Sequence, residues 1–149
     1  MVHIDFQIDP GSLAEQTTEN LAEEDAGVLS YHFFEFPVDP VVGGVVIFDG
    51  NRLPILYMAY NGLFAIRALP GTHRADLDLP PGGRLTLRQV GASVVVEYPY
   101  LHHTGQAPYT ELLEAWETFS ARVRSFLLEQ FADFRDHPQL GRWFRGEEP

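Results

Sequence analysis

Histidine and carboxylate side chains are the groups in this sequence that could bind a metal ion or transfer a proton. His102 and His103 are adjacent, and neighbouring side chains on an extended segment point in opposite directions. A metal site would therefore need a third ligand, such as His73 or Asp76, brought close by the fold. His73, Asp76 and Asp78 could also form an acid–base group, but their segment has the Pro- and Gly-rich composition of a loop. We therefore predict neither a metal ligand nor a catalytic residue.

The sequence also lacks the motifs of the common enzyme classes. No serine occurs in a G-x-S-x-G context, and neither a P-loop nor a Rossmann glycine pattern is present. There is no cysteine, which excludes a disulfide, a thiol nucleophile and a Cys-based zinc site. We predict no cofactor and favour a protein that is not an enzyme.

Charge is distributed unevenly along the 149 residues, whose net charge is −11. Residues 1–51 contain ten acidic residues and no Lys or Arg, a charge of −10, whereas residues 52–149 contain eleven acidic residues against ten Arg, a charge of −1. Lys is absent from the whole chain. We predict that acidic residues of the first third form a partner-binding surface, and the candidates are Glu15, Glu19, Glu23, Glu24, Asp25, Glu35, Asp39 and Asp49.

This charge balance bears on the kind of partner. An acidic excess disfavours nucleic acid, whose phosphates are bound by Lys and Arg. It favours a basic protein partner, which opposite charge would steer into contact. The first hypothesis is therefore a non-enzymatic protein-binding module, such as the immunity or inhibitor protein of a toxin domain. The alternative interpretation of the acidic residues is that they keep an aromatic-rich protein in solution.

Residues 110–135 form the clearest structural pattern in the chain. Spaced at 100° per residue, the large apolar side chains fall on one arc of a helix, and they are Leu112, Leu113, Trp116, Phe119, Val123, Phe126, Leu127, Phe131 and Phe134. Thr110 is the predicted N-cap, and Pro138 prevents continuation of the helix beyond His137. Such an apolar face needs a partner surface, which we expect the preceding strands to provide.

The segment before this helix has mostly β-type patterns. Strands are predicted over residues 2–8, 28–36, 41–48, 53–60, 63–69, 84–90 and 93–100. The Asn61-Gly62 dipeptide predicts a hairpin turn between two of them, and Gly43-Gly44 predicts a bulge or the start of an edge strand. Residues 70–83 and 102–108 are predicted to be loops. A capping box at Ser12 and Glu15 predicts a short helix over residues 12–25, and the alternative interpretation of this segment is a mobile acidic loop.

Together these elements predict one α+β domain over residues 1–149. An acidic N-terminal segment (9–27) precedes a β-meander (28–100), the long helix (110–135) and a docked tail (138–149). The predicted antiparallel sheet has about six to seven strands and packs against the long C-terminal helix. This order of elements resembles that of helix-grip proteins, the fold of START and polyketide-cyclase-like domains.

The helix-grip resemblance implies an alternative function. It suggests a small-molecule binder or cyclase-type enzyme with an apolar cavity beneath the C-terminal helix. The aromatic side chains that could line such a cavity, or equally form a packed core, are Tyr31, Phe33, Tyr57, Tyr60, Phe64, Tyr98, Tyr100 and Trp116. A third hypothesis is a domain that oligomerises through an exposed sheet edge.

The N-terminus has neither the basic region nor the long apolar run of a signal peptide. No apolar run approaches the roughly 20 residues that span a bilayer. We therefore expect a cytoplasmic protein with no membrane contact, and the oligomeric state is left open.

Overall fold

The computed structural model describes residues 1–8, 25–26, 33–48, 51–79 and 83–147. The strands in these ranges are β1 (Val2–His3), β2 (Glu35–Val38), β3 (Val41–Val42), β4 (Val45–Val46), β5 (Asn51–Pro54), β6 (Arg74–Leu79), β7 (Gly83–Val90), β8 (Ser93–Tyr98) and β9 (His103–Pro108). The α-helices are α1 (Ile55–Thr72), α2 (Tyr109–Gln130) and α3 (Gly141–Phe144), and short 3-10 turns cover Pro99–Leu101 and Ala132–Asp136. The chain is thus an α+β domain with antiparallel sheets.

Four strands form the largest sheet of the described residues, in the order β6-β7-β8-β9, and each neighbouring pair is antiparallel. The face toward the helices carries Leu77, Leu85, Leu87 and Val96, all of them buried. The opposite face carries charged and hydroxyl side chains. There Arg88 donates a 3.0 Å hydrogen bond to the Glu97 carboxylate. This alternation gives the sheet one buried and one solvated face.

Two strands of this sheet lie in segments that we predicted to be loops. β6 occupies part of residues 70–83, where Asp76, Leu77, Asp78 and Leu79 alternate as in a strand. We predicted a loop because the neighbouring residues are rich in Pro and Gly. β9 occupies the predicted linker 102–108. Its inward positions are Gly105 and Ala107, which are too small to produce an apolar alternation in the sequence.

Helix α1 is the largest difference from the predicted fold. Residues 53–60 and 63–69 were predicted to be strands joined by a hairpin turn at Asn61-Gly62, but the structure has one continuous helix, Ile55–Thr72. Its buried residues recur at helical spacing and are Ile55, Leu56, Met58, Ala59, Gly62, Leu63, Ile66 and Leu69. Because this face is covered by α2 and the sheet, burial outweighs the local turn preference of the dipeptide. The predicted β-meander over residues 28–100 is therefore interrupted by a helix.

Helix α2 is the predicted long helix, and its predicted apolar face is the buried one, with Leu112, Trp116, Phe119, Val123, Phe126 and Leu127 all buried. It starts after Pro108 instead of Thr110 and ends at Gln130, five residues before the predicted end. Its main partner is α1, not the strands alone. Two buried hydrogen bonds join the helices, from Trp116 Nε1 to the Met58 carbonyl (2.8 Å) and from Ser120 Oγ to the Ala59 carbonyl (2.9 Å).

Two smaller sheets accompany the four-stranded sheet among the described residues, in place of the single continuous sheet that we predicted. One has the order β1-β3-β4, and the other pairs β2 with β5. The predicted strand 2–8 is reduced to β1 and an isolated bridge between Phe6 and Val38. Gly43 and Gly44, at φ +59° and +80°, form the tight turn between β3 and β4 and not a bulge. The element order that suggested the helix-grip resemblance is therefore not present.

The predicted short helix over residues 12–25 falls, apart from Asp25, outside the described residues. At the other end of the chain, Phe134 and Phe144 are buried, and their rings pack against each other with centroids 5.2 Å apart. Phe134 also meets the Phe34 ring edge to face, with centroids 6.0 Å apart, and this contact holds the residues after α2 against the body of the domain.

Candidate functional site

The predicted acidic residues divide into two groups. Glu15, Glu19, Glu23, Glu24 and Asp49 lie outside the described residues. Of the other three, Glu35 begins β2 and Asp39 follows it, and both are half-buried. Gln7 donates a 3.4 Å hydrogen bond to the Asp39 carboxylate. Asp25 is exposed and adjoins Ala26, whose backbone N–H donates to the Gln139 side chain at 2.6 Å.

Most of the described ion pairs join an arginine to a carboxylate within residues 52–149, the part of the chain that contains all ten arginines. The described pairs between residues of the 52–149 part are Arg67–Glu117, Arg74–Asp76, Arg84–Asp78, Arg88–Glu97, Arg142–Glu147 and Arg145–Glu147. One described pair crosses into the first third and joins Arg122 to Asp5. Arg84, Arg88 and Glu97 lie on the outward face of the large sheet, whereas Arg67 lies on α1.

A groove of about 450 Å³ runs between β1 and α2. Three carboxylates line it, from Asp5 on the N-terminal segment and from Glu111 and Glu114 near the start of α2. The N-terminal amino group of Met1 pairs with Glu111 at 3.0 Å. Glu114 is exposed. The groove therefore joins an acidic residue of the first third to two acidic residues of the long helix.

The three histidines considered as ligands do not converge. His73 ends α1 in a left-handed conformation, and its carbonyl accepts from Gln89 at one end of β7. His103 pairs with Tyr98 at the opposite end of β8, and its Nδ1 lies 2.7 Å from the Ile47 carbonyl oxygen. Asp76 accepts a hydrogen bond from the Thr86 hydroxyl at 2.9 Å. Within the described ranges, no group of three or more His, Asp or Glu residues is arranged to bind a metal ion.

A second and larger opening lies between α1, α2 and the C-terminal segment, with a volume of about 630 Å³. We name it the arginine cleft and define it by the side chains Tyr60, Phe64, Arg67, Arg124, Arg142 and Trp143. Tyr60, Phe64 and Arg67 come from α1, Arg124 comes from α2, and Arg142 and Trp143 come from α3. The cleft thus exists because three segments distant in sequence meet.

The C-terminal wall of the arginine cleft is held by local packing. His137 is buried, and its Nδ1 accepts hydrogen bonds from the backbone N–H groups of Gln139 (3.1 Å) and Leu140 (3.0 Å). These bonds cap the turn that leads into α3, on which Trp143 lies. The Trp143 ring meets Tyr60 edge to face, with centroids 5.8 Å apart.

Arginine side chains dominate the electrostatics of the cleft. Arg67 lies 3.8 Å from Glu117, and Arg142 lies 3.6 Å from Glu147. Arg124 instead donates to the Trp143 carbonyl at 3.2 Å, and its guanidinium lies 5.6 Å from the centre of the Trp143 ring.

The pKa values of a carboxyl group and a phenol near the cleft are shifted. A hydrogen bond from Arg145, reinforced by the charges of Arg145 and Arg142, lowers the pKa of the Glu147 carboxyl. Burial, and secondarily the charge of Glu117, raises the pKa of the Tyr109 hydroxyl, which donates to the Ile66 carbonyl at 2.9 Å.

Sequence patterns did not predict the arginine cleft. Tyr60, Phe64 and Arg67 stand at positions i, i+4 and i+7, which share one face of a helix. On the two predicted strands, their positions indicate no common face. Once residues 55–72 are known to be helical, this spacing groups the three side chains. Arg124 and Trp143 could be joined to them only through tertiary packing.

Comparisons with known proteins give no assignment for this fold or cleft. Within the described residues, no helix combines the length and apolar character needed to cross a membrane. The sequence matches no protein-family model, and it matches neither a curated protein nor a solved structure.

Proposed function

We propose that this chain is a non-enzymatic protein-binding module whose acidic first third binds a basic protein partner, in the way that an immunity protein binds a toxin domain. The observation that carries the proposal is the charge split, −10 over residues 1–51 against −1 over residues 52–149. A concentration of one sign in one part of a chain creates a field that attracts a partner of the opposite sign.

The described ion pairs support this proposal. Arg84, Arg88 and Arg142 each pair with a carboxylate of the 52–149 part. Because these arginines are balanced locally, their charge does not cancel that of the first third. Arg122 differs from them, because it pairs with Asp5 of the first third.

The groove between β1 and α2 adds a second supporting feature. Asp5 pairs with Arg122 and Glu111 pairs with the Met1 amino group, so Glu114 is the groove carboxylate of α2 that a partner can reach. A cationic side chain of a partner could enter a groove of this kind and pair with Glu114, which is exposed. The partner surface would then include one rigid element, α2, as well as the acidic segment.

Electrostatic steering predicts a strong effect of charge on the association rate. We expect the triple variant Glu23→Ser, Glu24→Ser and Asp25→Ser to bind its partner about tenfold more slowly at low salt, because steered association can exceed unsteered association by 10- to 1,000-fold. The partner is obtained by affinity capture from the source cell, purified and measured by biolayer interferometry at low and high ionic strength.

A matched control changes the net charge equally at three exposed positions outside the first third. The triple variant Asp78→Ser, Glu129→Ser and Asp133→Ser should alter the association rate less than twofold. The acidic-surface proposal would be refuted if the association rate of a purified partner changed neither with the salt concentration nor with the first triple variant.

Small-molecule binding is the second candidate function, and the arginine cleft favours it. Its volume of about 630 Å³ lies within the roughly 300–1,000 Å³ of known ligand pockets. The cleft lies between α1, α2 and the tail, whereas we had expected a cavity between α2 and the sheet. On the inner face of α2, Trp116 and Phe119 are buried and in ring contact with each other.

A further inference from the structure

We propose that the arginine cleft binds a small organic anion with a flat, aromatic body. This inference rests on the second candidate function, small-molecule binding, and specifies the chemical class of the ligand. Three features of the cleft support it: an excess of guanidinium groups, hydrogen-bond donors without partners, and an exposed aromatic ring.

The charge of the cleft is opposite to that of the chain. Three arginines and two glutamates, Glu117 and Glu147, line it, in a chain whose net charge is −11. The glutamates pair with Arg67 and Arg142. Arg124 has no carboxylate partner among the described residues, since its contacts are the carbonyl and ring of Trp143. Its remaining N–H groups can bind an anion.

Two further polar groups in the cleft are suited to an acceptor-rich ligand. The Tyr60 hydroxyl and the Trp143 indole N–H have no hydrogen-bond partner within the part of the chain that the structure describes, and both residues are half-buried. Indole N–H is a donor only, and a phenol can donate. Oxygen atoms of a carboxylate or sulfonate would satisfy these donors together with Arg124.

The aromatic side chains indicate the body of the ligand. Phe64 is 71% exposed, which is unusual for so large an apolar side chain, and it lies in the same cleft as Trp143. A flat ring between such side chains would remove apolar surface from water and could stack on them. The anionic group would then face Arg124 while the ring covers Phe64.

The arrangement of Arg124 and Trp143 is already fixed without a ligand. Arg124 is held by the Trp143 carbonyl, and Trp143 is held by its ring contacts with Tyr60 and Phe144. A preorganised site loses little side-chain freedom when the ligand binds. These contacts therefore favour a preorganised cleft.

The test uses the intact protein and the fluorescent aromatic sulfonate 8-anilinonaphthalene-1-sulfonate, with binding measured by titration calorimetry and by quenching of tryptophan emission. We expect saturable 1:1 binding that Arg124→Gln weakens about tenfold or more, because hydrogen bonds to charged groups are the strong ones. Arg124→Lys keeps the positive charge and should retain most of the affinity. Arg88→Gln, which changes the net charge equally on the outer sheet face, should change the affinity less than twofold.

A neutral analogue, N-phenyl-1-naphthylamine, separates the inference from the function on which it rests. If both probes bind with equal affinity and Arg124→Gln has no effect, the cleft does not select an anion. That result would overturn the anion assignment but would leave small-molecule binding in place. Binding of neither probe, or equal weakening by Arg124→Gln and Arg88→Gln, would overturn both. Near-ultraviolet circular dichroism of each variant checks that the fold is retained.

Discussion

Gly62 is the residue whose role differs most between sequence and structure. In the sequence it follows Asn61 and predicts a hairpin turn, but in the structure it lies within α1 beneath the Trp116 indole. A Cβ atom placed on Gly62 would lie 2.6 Å from Trp116 Nε1 and 2.7 Å from Cζ2. The absence of a side chain therefore allows α1 and α2 to approach closely enough for Trp116 to reach the Met58 carbonyl.

Gly62→Ala tests this close approach. Although alanine favours a helix, we expect the variant to lose about 1–3 kcal/mol of unfolding free energy, as overpacking of a filled core does. Gly71→Ala is the matched control in the same helix, where an added Cβ has no atom within 4 Å, and it should be neutral or stabilising by up to about 1 kcal/mol. Urea unfolding measures both, and equal stability of the two variants would contradict the packing described here.

At the scale of elements, α1 shows how weak a local turn preference is beside tertiary burial. Asn61-Gly62 is typical of a two-residue hairpin. The same segment also carries eight buried residues at helical spacing. In a helix interior glycine costs about 1 kcal/mol relative to alanine, whereas each large buried side chain contributes about 1.5–3 kcal/mol. The helix is therefore the lower-energy state once a covering surface exists.

Asn61→Ala distinguishes a helix from a hairpin at this position. In a helix the substitution should raise the unfolding free energy by up to about 0.7 kcal/mol, because alanine has the higher helix propensity. In a hairpin it would lower stability, because alanine disfavours the positive φ of a type I′ turn. The midpoint of urea unfolding gives the sign, and a lower midpoint would contradict the helical assignment.

At the scale of the whole molecule, one apolar cluster joins the described sheets and helices. Phe6 near β1, Phe36 on β2 and Phe126 on α2 are mutually in ring contact, and the same core includes Leu87 of the large sheet. Because a single core links these elements, they should unfold together.

Leu127→Ala tests this cooperativity. Leu127 is fully buried in α2, so its truncation should lower the unfolding free energy by about 2–5 kcal/mol. The midpoints of urea unfolding followed by far-ultraviolet circular dichroism and by tryptophan fluorescence should shift by the same amount. Leu101→Ala, at a side chain that is 41% exposed, should change stability by less than about 0.5 kcal/mol. Separate transitions for the two probes would contradict a single core.

The sequence alone determined the elements whose patterns have long, regular periods. The face of α2 and the strands β7 and β8 were predicted from their apolar spacing, and the charge split is a property of the sequence itself. Only the tertiary structure decided α1, β9 and the arginine cleft. For α1, burial against another helix overrides a local turn preference. For β9, small inward residues leave no pattern to detect. The cleft combines side chains of α1, α2 and the tail, and no local pattern encodes a meeting of segments so far apart in the chain.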